Sequence, residues 1–142
     1  MLVRLLYASR ATEGITASLI ESILARSRTH NPQVGITGLL CYTGDVFLQV
    51  IEGGRAEVST LYNSIVRDSR HRDITLLHFE EVGSRRFSNW TMGQVNLAKV
   101  NPSTLLKYSE MPGLDPFRLS GNVSLALLEE MIATAAICGR AG

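Results

Sequence analysis

An apolar run from Leu2 to Ala8, interrupted only by Arg4, predicts a first strand, and a polar loop from Ser9 to Gly14 closes it. The spacing then becomes helical, with Leu19, Ile20, Ile23 and Leu24 on one side. Ser18 and Glu21 have the spacing of a capping box, and Thr16 competes as the cap. Pro32 disfavours helical backbone at the residue before it, so the helix is predicted to stop near His30-Asn31. Gly35 opens a strand from Ile36 to Tyr42, and Thr43-Gly44-Asp45 reads as a tight turn into a strand from Val46 to Glu52. After Gly53-Gly54 a second amphipathic helix carries Val58, Leu61, Tyr62, Ile65 and Val66 at helical intervals. A charged turn, Arg70-His71-Arg72-Asp73, leads into a fourth strand from Ile74 to about Val82, and Trp90 to Val95 forms a shorter fifth.

The order β-α-β-β-α-β-β contains the split βαβ plan of ferredoxin-like α+β folds, with one extra strand. In the third strand Val46, Leu48 and Val50 fall on one face and Phe47 and Ile51 on the other. A strand apolar on both sides needs cover on both sides, and two helices supply only one layer. The C-terminal segment is the other cover. Ser120 to about Cys138 carries Val123, Leu127, Leu128, Met131, Ala135 and Cys138 at helical spacing, after a connection marked by Pro112-Gly113 and Pro116 and a short helix near Thr104 to Tyr108. The chain thus divides into a core at 1–97 and a helical cap at 98–142.

Composition narrows the function. Hydrophobic residues at 45% and charged residues at 19% suit a folded globular chain. Fourteen Lys plus Arg against thirteen Asp plus Glu give a net charge of +1, which lacks the broad basic field of a nucleic-acid binder. The N-terminus has a charge inside its short apolar run and does not read as a signal peptide, and no apolar stretch is long enough for a membrane span. Cys41 and Cys138 form no CxxC unit, so a reducing cytosol is the expected compartment. His30, His71 and His78 lack metal-ligand spacing, and no metal and no catalytic activity are expected.

Three polar residues stand where a plain core would not place them. Gln49 lies between Phe47 and Ile51 on one strand face, and an unpartnered buried amide costs about 1–3 kcal/mol. Tyr7 shares a face with Val3 and Leu5 on the first strand, and its hydroxyl also needs a partner. First and third strands are central neighbours in a split βαβ sheet, so the two can meet under the helices. Asn31, at a helix end, offers donor and acceptor to a planar amide-like edge. One alternative is that Tyr7 and Gln49 satisfy each other and Asn31 merely closes a helix. The other is a ligand with polar edges and an apolar body, seated between helices lined by Ile20, Ile23, Leu24, Val58, Leu61 and Ile65.

Leu6-Tyr7, His30-Asn31-Pro32, Gly35 through Tyr42, Phe47-Leu48-Gln49-Val50-Ile51-Glu52-Gly53, Arg67-Asp68-Ser69-Arg70-His71 and Trp90-Thr91-Met92 occur in the order found in BLUF domains. Over roughly residues 1–97 the chain resembles that family of blue-light photoreceptors, and as a whole it resembles a short, single-domain member with a helical tail. The resemblance implies non-covalently bound flavin, FAD or FMN. It implies Tyr7 as electron and proton donor, and Gln49 as the amide between Tyr7 and the flavin N5/O4 edge that light rearranges. Asn31 would bond the O4/N3 edge, with His30 beside it at a ring- or phosphate-contacting position. Asp68 and Arg70 would stand near the polar edge, Arg70 at O2, while Trp90 and Met92 would carry the change through the fifth strand. A downstream protein partner in trans is implied, and self-association as a homodimer is a further expectation.

Rival functions have distinct signatures. An acylphosphatase-like enzyme needs a Gly-rich phosphate loop after the first strand, and Ala8-Ser9-Arg10-Ala11 is not one. An RNA-binding sheet needs exposed stacking aromatics, and aromatics are only 6%. A light-insensitive ferredoxin-like module that binds a ligand or a protein is the remaining alternative.

Overall fold

Seven main elements appear in the expected order in the computed structural model, which describes residues 1–134 and 137–139. They are β1 (Leu2–Ala11), α1 (Ala17–Val34), β2 (Thr37–Thr43), β3 (Val46–Gly54), α2 (Arg55–Arg67), β4 (His71–Val82) and β5 (Gly93–Asn96). The five strands form one sheet in the order β4-β1-β3-β2-β5, antiparallel except for the parallel β2–β5 pair. This is the ferredoxin-like plan extended by one strand. β2 and β3 join through the two-residue turn Gly44-Asp45, where Gly44 takes a φ of 58°, a left-handed conformation that glycine adopts without steric penalty.

Each face of the sheet is covered by a different layer. Val3, Leu5, Tyr7, Phe47 and Ile51 pack with Ile20, Leu24 and Val58 of the two helices. Leu6, Ala8, Leu48 and Val50 pack on the other side with Leu125, Leu127, Leu128 and Met131 of a C-terminal helix, α4 (Gly121–Ala133), preceded by the short α3 (Pro102–Leu106). The double-sided apolar pattern of β3 therefore has the two layers it requires.

Several boundaries move, each for a local reason. Thr16, not Ser18, caps α1, its hydroxyl accepting from Leu19 N at 3.1 Å. The helix runs through Pro32 to Val34, because a proline in the last turn removes one hydrogen bond without blocking termination a few residues on. Gly35 ends it in the left-handed conformation, φ 69°, with its N–H on the Asn31 carbonyl. The stretch expected as a charged turn before β4 belongs in part to the strand, which begins at His71. α4 stops at Ala133, and Cys138 is not on its face: its backbone bridges Gln94 on β5. Ala135 lies outside the described residues.

A buried ion pair supports one end of the sheet. Arg4 faces Glu52 directly across β1 and β3, and its guanidinium donates to that carboxylate at 2.8 Å and to Glu80 on β4 at 2.5 Å. Glu52 is fully buried and also accepts from the N–H groups of Arg86 and Phe87, at 2.9 and 2.8 Å. The two backbone bonds hold the β4–β5 connection against the sheet, and with Arg4 they satisfy the buried carboxylate, which is how a buried charge is made tolerable.

Candidate functional site

Tyr7 and Gln49 are directly opposed in the β1–β3 register. Their side chains emerge on the same face, and the Tyr7 hydroxyl donates to Gln49 Oε1. Both are buried, at 4% and 5% exposure. Burial pushes the Tyr7 hydroxyl pKa far above the ordinary phenol range, and the neighbouring Tyr62 and Asp68 add to the effect. Tyr7 is therefore a firmly neutral donor. Gln49 Nε2 points at Met92 Sδ, 3.3 Å away, a thioether that accepts weakly. The amide has a strong bond at its oxygen and a poor one at its nitrogen.

The pair stands at the wall of a cavity of about 430 Å³ between α1 and α2. That volume is within the range of small-molecule sites. Ile23, Leu61 and Ile65 supply apolar walls from the helices, and Leu40 and Phe47 line it from the sheet. Ile20, Leu24 and Val58, expected beside them, instead point into the core beneath. An apolar slot with Asn31, Gln49, Asp68 and Arg70 around it fits a flat ring with a polar edge.

The remaining candidates sort clearly. Asn31 is 2% exposed, lines the cavity and donates from Nδ2 to the Thr91 carbonyl at 2.6 Å, tying α1 to the segment before β5. His30 lines the cavity from an exposed position. Asp68 follows the C-terminus of α2, and Arg70 folds back onto it with Nη2 2.6 Å from Oδ2. The Arg70 guanidinium hydrogen bonds hold the Asp68 carboxyl below its usual range, and Asp68 raises Arg70 in return. Met92 lines the cavity.

Trp90 does not. Its side chain packs in the cluster beneath α4, on the opposite face, and its buried indole N–H has no partner among the described residues. The cause is a turn: Trp90 N donates to Phe87 O at 3.3 Å and its carbonyl accepts from Gly38 N at 3.0 Å. The Thr91 carbonyl is taken by Asn31, so β5 starts only at Gly93 and strand alternation does not govern residues 90–92.

His71 was absent from the sequence-based candidates. It lines the cavity 6.3 Å from Tyr7, ring centroid to centroid, with Nδ1 2.8 Å from Ser9 Oγ and Nε2 2.5 Å from the Ile65 carbonyl. A carbonyl only accepts, so Nε2 carries the proton. Placing His71 in β4 rather than in a turn would have revealed it. Among the described residues there is no cluster of metal-ligating groups and no helix long and apolar enough to cross a membrane.

Comparison with known proteins agrees with this geometry. Residues 2–93 match the family model described as sensors of blue-light using FAD, and the chain belongs to the BLUF family. It is a BLUF-domain photoreceptor, with the Tyr7–Gln49 hydrogen bond of a flavin-based light sensor. A dark-state structure of BlrB, a BLUF protein, is 35% identical with a TM-score of 0.78, covering 94% of this chain and 96% of that one. The photo-activated state of BlsA is 30% identical with a TM-score of 0.81, covering 93% and 95%. The Escherichia coli K12 blue light- and temperature-regulated antirepressor BluF is 28% identical over 120 residues, 84% of this chain and 30% of that protein. The beta subunit of photoactivated adenylate cyclase from Euglena longa is 32% identical over 64% of the chain, which spans only 11% of that relative's length. The chain corresponds to the small sensor domain of such proteins and not to their cyclase domain.

Proposed function

We propose that the cavity between α1 and α2 holds the ring of FAD, with FMN as the second choice, and that Tyr7 and Gln49 are the photoactive pair. The observation that carries this reading is the Tyr7 hydroxyl bonded to a buried amide whose nitrogen faces a thioether. FAD is favoured by the family description, whereas a structure of BlrP1 from Klebsiella pneumoniae is described with FMN. Bound flavin supplies blue-light absorption and, when excited, an acceptor for an electron and a proton.

The side chains do the rest. Tyr7 would supply the electron, and its proton would leave along the bond to Gln49 Oε1. Gln49 would then turn or tautomerise its amide, giving up the poor bond to Met92 for one to the bound ring. Asn31 and Arg70, the latter held by Asp68, would hold the polar edge of the ring, with His30 at the rim. Met92 senses the amide directly. Trp90 acts as a relay on the tail-covered face rather than as a ring contact. Residues 1–97 form the sensor and 98–142 the cap that reports its state, in the cytosol, to a protein partner or to a second copy of the chain. A protein reader is consistent with the E. coli relative's name as an antirepressor.

The test is to purify the protein in dim light, identify the released flavin by chromatography, and record absorption before and during blue illumination. The expected result is a flavin spectrum that shifts modestly to the red and recovers in darkness. Protein that takes up no flavin even on reconstitution would return the chain to a light-insensitive ferredoxin-like binding module.

A further inference from the structure

β5 is an edge strand of four residues, and the chain itself covers its outer side. Gln94 and Cys138 form an antiparallel bridge in which each N–H donates to the other's carbonyl at 3.0 Å. Beside the bridge, Ile137 packs with the cluster that holds Trp90. A Cβ on Gly93 would lie 2.7 Å from Ile137 Cγ2, 2.8 Å from Leu39 Cδ2 and 2.9 Å from Trp90 Cδ1. Gly93 is thus the floor of a notch that one aliphatic side chain fills. Gly139 turns left-handed, φ 85°, and a Cβ there would lie 2.8 Å from Arg28 Nη2 on α1 and 3.6 Å from the Met92 carbonyl oxygen. Residues 137–139 therefore cross the sheet edge from the α4 side to the α1 side. Among the described residues, one backbone bridge and one aliphatic side chain fasten them to β5.

We propose that residues 137–139 are a self-inhibitory strap, and that the β5 edge beneath them is a strand-addition site for an extended, aliphatic segment of a partner polypeptide. Open strand edges pair with other chains, and proteins cover the edges they must protect. Here the covering segment also shows what the site accepts. Gln94 offers a donor and an acceptor to an extended backbone, and the notch over Gly93, between Leu39 and Trp90, takes a β-branched aliphatic side chain. In such sites main-chain pairing supplies affinity and the side-chain pocket supplies selectivity. A fastening of one bridge opens at a small cost, so a partner that matches it can displace it. The strap's position also matters, because Met92 meets the Gln49 amide on its inner side and lies against Gly139 on its outer side.

The test follows hydrogen exchange of the Gln94 amide by NMR in the 142-residue chain, kept in darkness, for the wild type and for Ile137→Asp. Each is measured alone and with a synthetic peptide of residues 134–142 carrying Cys138→Ser. In the wild type the Gln94 amide is expected to be protected with or without peptide. Ile137→Asp is expected to raise its exchange roughly tenfold, and peptide in large excess to restore much of the protection. Equal exchange in the two proteins overturns the strap. Faster exchange that the peptide does not slow overturns the strand-addition site. If Ile137→Asp loses its sheet, Cys138→Pro decides the same points, since it removes the N–H that donates to Gln94 and leaves Ile137 in place. No light is used, so failure of the strap leaves the photoreceptor reading standing.

Discussion

At the scale of single residues, function depends on two polar side chains placed where the sheet is otherwise apolar. Because Tyr7 stays protonated in the fold far above the usual phenol range, the native chain binds more protons than the unfolded chain above about pH 10. Stability contributed by the neutral hydroxyl is therefore intact below pH 10 and lost as pH rises beyond it. Urea unfolding between pH 8 and 11 should show stability falling by up to about 1.4 kcal/mol per pH unit from this group, a fall reduced in Tyr7→Phe. Equal slopes in both proteins would count against a buried neutral Tyr7. Asp68 has the opposite sign. Its depressed pKa adds stability above the ordinary carboxylate range that is lost as pH falls through the folded value, so Asp68→Asn should flatten the acid limb of the same profile.

Tyr7 and Gln49 were legible in the sequence because strand alternation leaves a polar residue on an apolar face no other explanation than a partner. Asn31 was legible for a similar reason, though Pro32 suggested a helix end that Gly35 actually supplies. His71 was not. On an exposed helix or near a strand end, a polar residue obeys the pattern, and only the three-dimensional placement of α2 against β4 reveals what it faces.

At the scale of elements, the tail is held to the sheet by a close backbone approach. A Cβ on Gly121 would lie 2.0 Å from the Leu77 carbonyl oxygen, so Gly121→Ala must push the start of α4 off β4. A loss of about 1–3 kcal/mol is expected in thermal unfolding, with reduced protection of α4 amides. Glu52→Gln would leave Arg4 buried with less than its full counter-charge, and about 3–5 kcal/mol should be lost in urea unfolding. The apolar faces of β3 announced that both sides of the sheet are covered, and the structure agrees. The Arg4–Glu52 pair escaped notice because each charge, taken alone, looks like an ordinary strand-end residue. Trp90, expected at the start of the fifth strand, lies before it because Asn31 and Gly38 hold residues 90 and 91 in a turn.

At the scale of the whole molecule, the proposed mechanism makes the difference between dark and illuminated protein one or two exchanged buried hydrogen bonds. At about 1–3 kcal/mol, such coupling shifts a conformational equilibrium by roughly 5–150-fold, whereas inversion from 1:99 to 99:1 needs about 5.5 kcal/mol. The output is accordingly graded. Hydrogen exchange under blue light should change in β5 and α4, next to Met92 and Trp90, while the central β1–β3 ladder keeps its protection. Uniform loss of protection across the sheet would contradict this.

The most direct measurement of the central claim is the light-minus-dark absorption difference of the wild-type protein beside Gln49→Leu, which keeps a comparable side-chain volume but removes the amide. The account expects both to hold flavin, with a reversible red shift in the wild type and none in Gln49→Leu. A shift of undiminished size in Gln49→Leu would show that the amide between Tyr7 and the cavity is structural and that light acts elsewhere.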